Sequence, residues 1–287
     1  MDAFSKYHPV VILCYYTAAV LLVIVWAHPV LSLIAWGITI LTYGSLTGCS
    51  KCIRCFLVSL GAMILCLIIN PLLNHRGVTL LFMAGELRIT KEAVCYGGNM
   101  ALMLLASLFL FVCFSHYMTS EKIMTLFSKR LPSFSLLFSM ILRFVPKAGR
   151  DFKEMTALNG NGPTVWTALT SITLEDAVER SLSMKSRGYG KKTRTCFCQE
   201  TLRERDVILF CLTILMGGIG LWYGIAGGKT VRFFPSMQID VLPVWQWAAF
   251  TLYFSLPLIL RGREEMAWYL SRRKITDLPI RNSRNRH

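Results

Sequence analysis

Ser186-Arg187-Gly188 is the group of residues in this chain best fitted to grip something else. A guanidinium is a planar fork of donors that docks onto carbonyls or carboxylates through several hydrogen bonds at once. The glycine beside it lets a second backbone approach closely. The same cation on a basic surface also suits an anionic lipid headgroup. The residue types alone leave these two uses open.

Other candidates for chemistry fall away. Cys49, Cys52 and Cys55 form a C-x-x-C-x-x-C run, but a zinc site wants four ligands, and neither a His nor a fourth Cys is near in sequence. We read them, with Cys196 and Cys198, as ordinary residues at a membrane boundary. Cys14, Cys66, Cys113 and Cys211 lie in apolar runs, where a thiol acts as a small hydrophobe. The stretch ending Gly228-Lys229-Thr230 imitates a phosphate loop, yet Tyr223 stands where that loop needs its first glycine. It also follows a membrane span in place of a strand. No H-E-x-x-H or G-x-S-x-G is present. No catalytic residue, metal or cofactor is expected.

The elements that must position Arg187 are mostly apolar. The chain of 287 residues is 54% hydrophobic, 16% charged and carries a net charge of +15. Soluble domains carry about a quarter charged residues, so the expectation is an all-α, polytopic helical membrane protein. Val10 to Ser50 contains no Asp, Glu, Lys or Arg, which is too long for one span of about 20 residues and right for two. His28-Pro29 marks the turn between them. About six transmembrane helices follow, near 10–27, 30–48, 55–73, 97–117, 207–226 and 241–260. With the amino terminus inside, all but five of the 31 Lys and Arg fall on the inner side. Both termini are therefore assigned to the cytoplasm, and the cationic excess reads as a topology signal and not as a nucleic-acid footprint. The domains expected are a membrane domain at 1–117 with four spans, a cytoplasmic coupling segment at 118–206, two spans at 207–260 and a basic cytoplasmic tail at 261–287.

Within 118–206, the charge-free stretches Leu131–Leu142 and Pro163–Leu174 are too short to span and suit packed or interfacial helices. A wet helix is expected over about 174–187. Thr173 and Asp176 resemble a capping box at its start. Glu175 and Asp176 in the first turn, with Lys185 and Arg187 in the last, favour the helix dipole. Gly188 supplies a left-handed stop. Leu174, Val178, Ser181, Leu182 and Lys185 mark a narrow apolar stripe. No charge lies in the middle of a predicted span, which argues against a polar substrate path in this chain alone. Asn70 and Asn99 are read as helix-end caps. Gly220 and Gly224 make a G-x-x-x-G that permits close packing on a span of this chain or of a partner.

Several phrases together resemble the transmembrane T component of energy-coupling factor (ECF) vitamin and metal transporters of Gram-positive bacteria. They are Tyr7-His-Pro-Val10, Asn70-Pro-Leu-Leu-Asn-His-Arg-Gly-Val-Thr79, Tyr96-Gly97, Met118-Thr-Ser-Glu-Lys122, Leu131-Pro132, Ser139-Met-Ile-Leu-Arg-Phe-Val-Pro146, and Leu174-Glu-Asp-Ala through Ser183-Met-Lys-Ser-Arg-Gly-Tyr-Gly190. Their order spans most of 4–190. The resemblance implies partnership with two cytoplasmic ABC-type ATPases, with a membrane-embedded, substrate-binding S component and with the lipid bilayer around them. It also implies two coupling helices, each ending in an Arg-Gly type motif that inserts into one ATPase. Ser186, Arg187 and Gly188 take the second motif. Glu175, Asp176, Arg180, Arg143 and Pro146 fall in the supporting phrases.

The chain departs from this pattern over residues 147–173, where no Arg-Gly pair occurs. Arg150 is the candidate for the first motif there, and the Asn159-Gly160-Asn161-Gly162 run marks a turn. Two other readings stand beside the first. One is a permease of another ABC importer class, which would carry an E-A-A…G loop that this sequence lacks. The other is a degenerate T component that anchors partners without coupling.

Overall fold

The computed structural model describes residues 3–73, 79–84, 87–128, 131–160, 162–190, 203–226, 231–233, 238–239 and 242–276. They form a 3-10 turn (Ala3–Lys6) and nine α-helices. These are α1 (Pro9–Trp26), α2 (Pro29–Thr47), α3 (Cys49–Leu73), α4 (Lys91–Tyr117), α5 (Ser120–Ser128), α6 (Pro132–Asn159), α7 (Pro163–Ser186), α8 (Glu204–Ala226) and α9 (Val244–Thr276). Two short antiparallel pairs, β1 (Leu80–Ala84) with β2 (Leu87–Thr90) and β3 (Val231–Arg232) with β4 (Gln238–Ile239), lie in connections between the helices. The class is all-α. The chain divides into one unit of residues 1–119 and 202–287 and a second of 120–201.

Five helices of the first unit, α1, α2, α3, α4 and α8, are long and apolar enough to cross a membrane. The chain is a multi-pass membrane protein. The expected sixth span, α9, is not among the five: Gln246, Trp245, Trp247 and Tyr253 dilute its apolar half. It also continues as helix through Thr276, well into the stretch expected as a tail.

Helix α1 is the hub of this unit. It packs on α8, α4 and α2, so an apolar residue at nearly every position serves a helix buried on most sides. At its end the chain must reverse, yet Pro29 confines His28 to extended backbone (φ −96°, ψ 126°). The reversal therefore falls on Ala27, held at φ 43°, a conformation that costs a non-glycine residue energy. Asn99 of α4 donates Nδ2 to the Ala27 carbonyl at 2.7 Å. Its cap thus closes the end of α1, not of its own helix. Asn70 makes no such cap: its Nδ2 is buried without a partner among the described residues, against Gly97.

Two contacts fix α8 and α9 to the hub. Along α8, Gly217, Gly220 and Gly224 lie against Ala18, Leu22, Val25 and Trp26 of α1. Trp26 Nε1 donates to the Gly220 carbonyl at 3.0 Å. The partner of the small-residue face is thus a span of the same chain. From α9, the Tyr253 hydroxyl donates to the Tyr15 carbonyl at 3.0 Å while the Tyr15 hydroxyl donates to the Tyr253 carbonyl at 3.2 Å. The two buried rings stack with centroids 5.1 Å apart.

A Cβ built on Gly224 would sit 2.6 Å from Val25 Cγ1 and 3.1 Å from Trp26 Nε1, whereas one on Gly218 would meet nothing within 4 Å. Gly224→Ala should cost about 1–3 kcal/mol by overpacking. Gly218→Ala should be neutral or stabilising, because alanine is the better helix former. Melting temperatures in detergent test the contrast; equal shifts for the two variants would refute the seam.

Candidate functional site

The second unit is a helical hairpin with a short helix, α5, packed on α6. Among its described residues only Val165 is buried. Gly160, at φ 70°, ends α6, and Gly162 with Pro163 opens α7, so the two long helices run antiparallel. Phe152 of α6 meets Trp166 of α7 with ring centroids 4.9 Å apart.

Farther along the hairpin, Asp176 joins the helices. Its carboxylate accepts a hydrogen bond from Lys147 of α6 and another from Arg180, one turn on in α7, at 3.1 Å. The Arg180 guanidinium also lies over the Phe144 ring of α6, 5.2 Å from its centroid. Phe144 and Lys147 are three residues apart and Asp176 and Arg180 four, so each pair shares a helix face. The hydrogen bond from Lys147 holds the Asp176 carboxyl below the usual carboxylate range, and the Lys147 and Arg180 charges act in the same direction.

This corrects the expected start of the wet helix. Helix α7 begins at Pro163, about three turns before Thr173. Thr173 therefore caps nothing and donates its hydroxyl to the Thr170 carbonyl at 2.9 Å. Glu175 and Asp176 are mid-helix, and the first turn holds no acid. Tertiary pairing with Lys147 explains the position of Asp176, not the dipole. Glu175 is exposed.

The carboxyl end of α7 stops as the glycine requires. Gly188 has φ 84°. The Tyr189 N–H donates to the Met184 carbonyl and the Gly188 N–H to the Lys185 carbonyl, each at 3.1 Å. This is the Schellman arrangement. The Ser186 hydroxyl folds back on the Ser183 carbonyl at 2.8 Å. That leaves Arg187 as the cap residue, exposed and without an ion pair or hydrogen-bonded side-chain partner among the described residues. It follows Arg180 by seven residues, two helical turns.

The remaining candidates are spread along α6. Arg143, Pro146 and Arg150 are exposed, with Pro146 inside the helix. The hairpin contacts do not bring Arg150 to Arg187. Sequence reading missed Lys147 and Phe144, which hold Asp176 and Arg180. Their signal was the Phe-x-x-Lys spacing inside the Arg-Phe-Val-Pro-Lys phrase, one helix face opposite an Asp-x-x-x-Arg. The stripe of Leu174, Val178 and Leu182 is 68%, 61% and 62% exposed, a row of apolar side chains with no cover from its own unit. Of the cysteines, Cys49, Cys52 and Cys55 are free thiols on one side of α3, and no group of three His, Cys, Asp or Glu suited to a metal occurs among the described residues. Cys196, Cys198 and the Lys229-Thr230 pair lie outside the described residues.

No protein-family model matches the chain, and no curated protein matches it. The class that fold and site define is an all-α, multi-pass membrane protein carrying a coreless helical hairpin with a cation, unpaired among the described residues, at its open end.

Because its carboxyl is held low, Asp176 contributes to the hairpin fully above the ordinary carboxylate range, near 3.9. The contribution is lost as pH falls through the lowered folded value. Lys147→Glu should therefore widen the distribution of distances between spin labels at positions 153 and 170 at neutral pH. Combining it with Asp176→Lys should narrow that distribution again. If Lys147→Glu leaves it unchanged, the ion pair does not set the hairpin.

Proposed function

We propose that this chain is the transmembrane coupling subunit, the T component, of an energy-coupling-factor type importer of vitamins or other micronutrients. In this reading the hairpin of α6 and α7 lies on the cytoplasmic side with both chain termini. Two ABC-type ATPases bind there and hydrolyse ATP, and this chain is not itself an enzyme. Arg187 enters a groove of one ATPase, and closure of the ATPases moves the hairpin. The motion passes to a membrane-embedded S component, which holds the substrate.

The observation that carries the reading is the unpaired Arg187 on a helix whose backbone is closed by Gly188. A guanidinium held out by a fixed helix end loses little freedom on docking. Three further features support it. The second unit buries one described side chain, so its apolar faces need cover. The five spans carry no obvious polar path. The excess of Lys and Arg lies on the side assigned to the cytoplasm.

A second reading rests on a specific departure. Helix α6 ends at Asn159 and Gly160 with no Arg-Gly pair, which suits a T component that binds its partners as an anchor without driving transport. Substrate accumulation in reconstituted complexes separates the two, since an anchor assembles without accumulation.

Affinity purification from membranes tests the principal reading. Two ABC ATPases should co-purify with the wild-type chain. Arg187→Glu should lower their recovery by about tenfold or more, because loss of a docked charge contact costs about 2 kcal/mol or more, with membrane insertion unaltered. Absence of ATPases from the wild-type preparation would end the proposal, and full recovery with Arg187→Glu would remove Arg187 from it.

A further inference from the structure

In the first unit, α8 and α9 leave a groove between them. Tyr223 and Trp245 meet with ring centroids 5.0 Å apart, so the end of α8 lies by the start of α9 and the helices run antiparallel. The groove opens toward the other end, where α8 begins. Its volume is about 740 Å³, within the range of small-molecule sites.

Each wall is one face of a helix. Ile208, Leu212 and Met216 line it from α8, and Leu252, Leu256 and Ile259 from α9. Ile208, Leu212, Leu252 and Ile259 are also exposed on the outside of the unit, so the groove is open along the surface that faces hydrocarbon. The apolar stretch on α8 from Arg205 to Met216 is about 16 Å long at 1.5 Å per residue.

The rim differs sharply from the walls. Arg205, Arg263, Glu264 and Tyr7 stand there together. Glu264 is already paired, accepting from Lys6 Nζ at 3.2 Å. Neither Arg205 nor Arg263 has a carboxylate partner among the described residues. The rim thus presents two guanidinium groups, unpaired among the described residues, and a tyrosine of the kind that favours the membrane interface, above a slot with mainly apolar walls. Charge selects the occupant. Both headgroups carry a phosphodiester that a guanidinium can hold in a bidentate fork, but a zwitterionic one also brings its own cation to the rim, whereas one of net negative charge neutralises it.

We propose that this groove binds one acyl chain of an anionic glycerophospholipid, with the chain between α8 and α9 and the headgroup phosphate held by Arg205 and Arg263. The site is independent of the hairpin and of the ATPase reading. It would brace α9, whose apolar half falls short of the other spans. Tyr7 adds a hydroxyl beside the phosphate.

Native mass spectrometry of the full chain in detergent tests this, with phosphatidylglycerol and phosphatidylcholine of matched chains as probes. Wild type should retain phosphatidylglycerol preferentially. Arg205→Ala with Arg263→Ala should reduce that preference by about tenfold, with phosphatidylcholine retention falling much less than that of phosphatidylglycerol. Leu212→Trp, which fills the slot and keeps both arginines, should lower retention of both lipids. Equal retention of the two lipids by wild type, or an undiminished preference in the double variant, would overturn the assignment. So would stabilisation by inorganic phosphate alone equal to that by phosphatidylglycerol, since the groove would then be a plain anion site.

Discussion

Where Gly217, Gly220 and Gly224 meet α1, the backbone of one helix rests on the side chains of another. Lipid tails are as apolar as leucine, so apolarity alone does not bring spans together. Close approach does, and it needs a face without side chains. The approach also brings the Gly220 carbonyl within reach of Trp26 Nε1. With α8 seated, α9 closes over α1 through the reciprocal bonds of Tyr15 and Tyr253. Helix α9 also packs on α2 and on α8, and the groove lies between α8 and α9 toward the start of α8.

The second unit obeys the opposite constraint. It has no interior to speak of, and its order comes from pairwise contacts on helix surfaces. Phe152 on Trp166 sets the turn end of the hairpin. Asp176, shared by Lys147 and Arg180, sets the middle. Exposed ion pairs contribute little to stability, so these contacts fix register more than they supply energy. A unit of this kind is suited to passing on displacement, because its shape depends on what covers it. Under the T-component reading, cover comes from proteins on either side, and the hairpin behaves as a lever with a cation at its end.

Arg187 and the pair Arg205 and Arg263 have different chemistry around them among the described residues. Arg187 projects beside a glycine from a finished helix end. Arg205 and Arg263 stand over a hydrocarbon slot. The alternative left open for Arg187 by its residue type, an anionic lipid, is better served by the second pair.

Much of the architecture was legible in order. The spans from α1 to α4 and α8, the turn at His28-Pro29 and the stop at Gly188 follow from local rules: hydrocarbon length, the restriction that proline places on its predecessor, and the freedom of glycine at positive φ. The start of α7 was misread because Thr173, Glu175 and Asp176 imitate a cap, and a local pattern cannot reveal that the helix is already three turns old. The partner of the glycine face was open for the same kind of reason. What the sequence alone determined was therefore where helices run, where they stop and which carry apolar faces, since these depend on neighbours in the chain. Only the tertiary structure decided that Lys147 and Phe144 receive Asp176 and Arg180, that α1 receives the glycines, and that two arginines share one rim. Those pairings join residues distant in sequence, and no spacing along the chain encodes a distance across space.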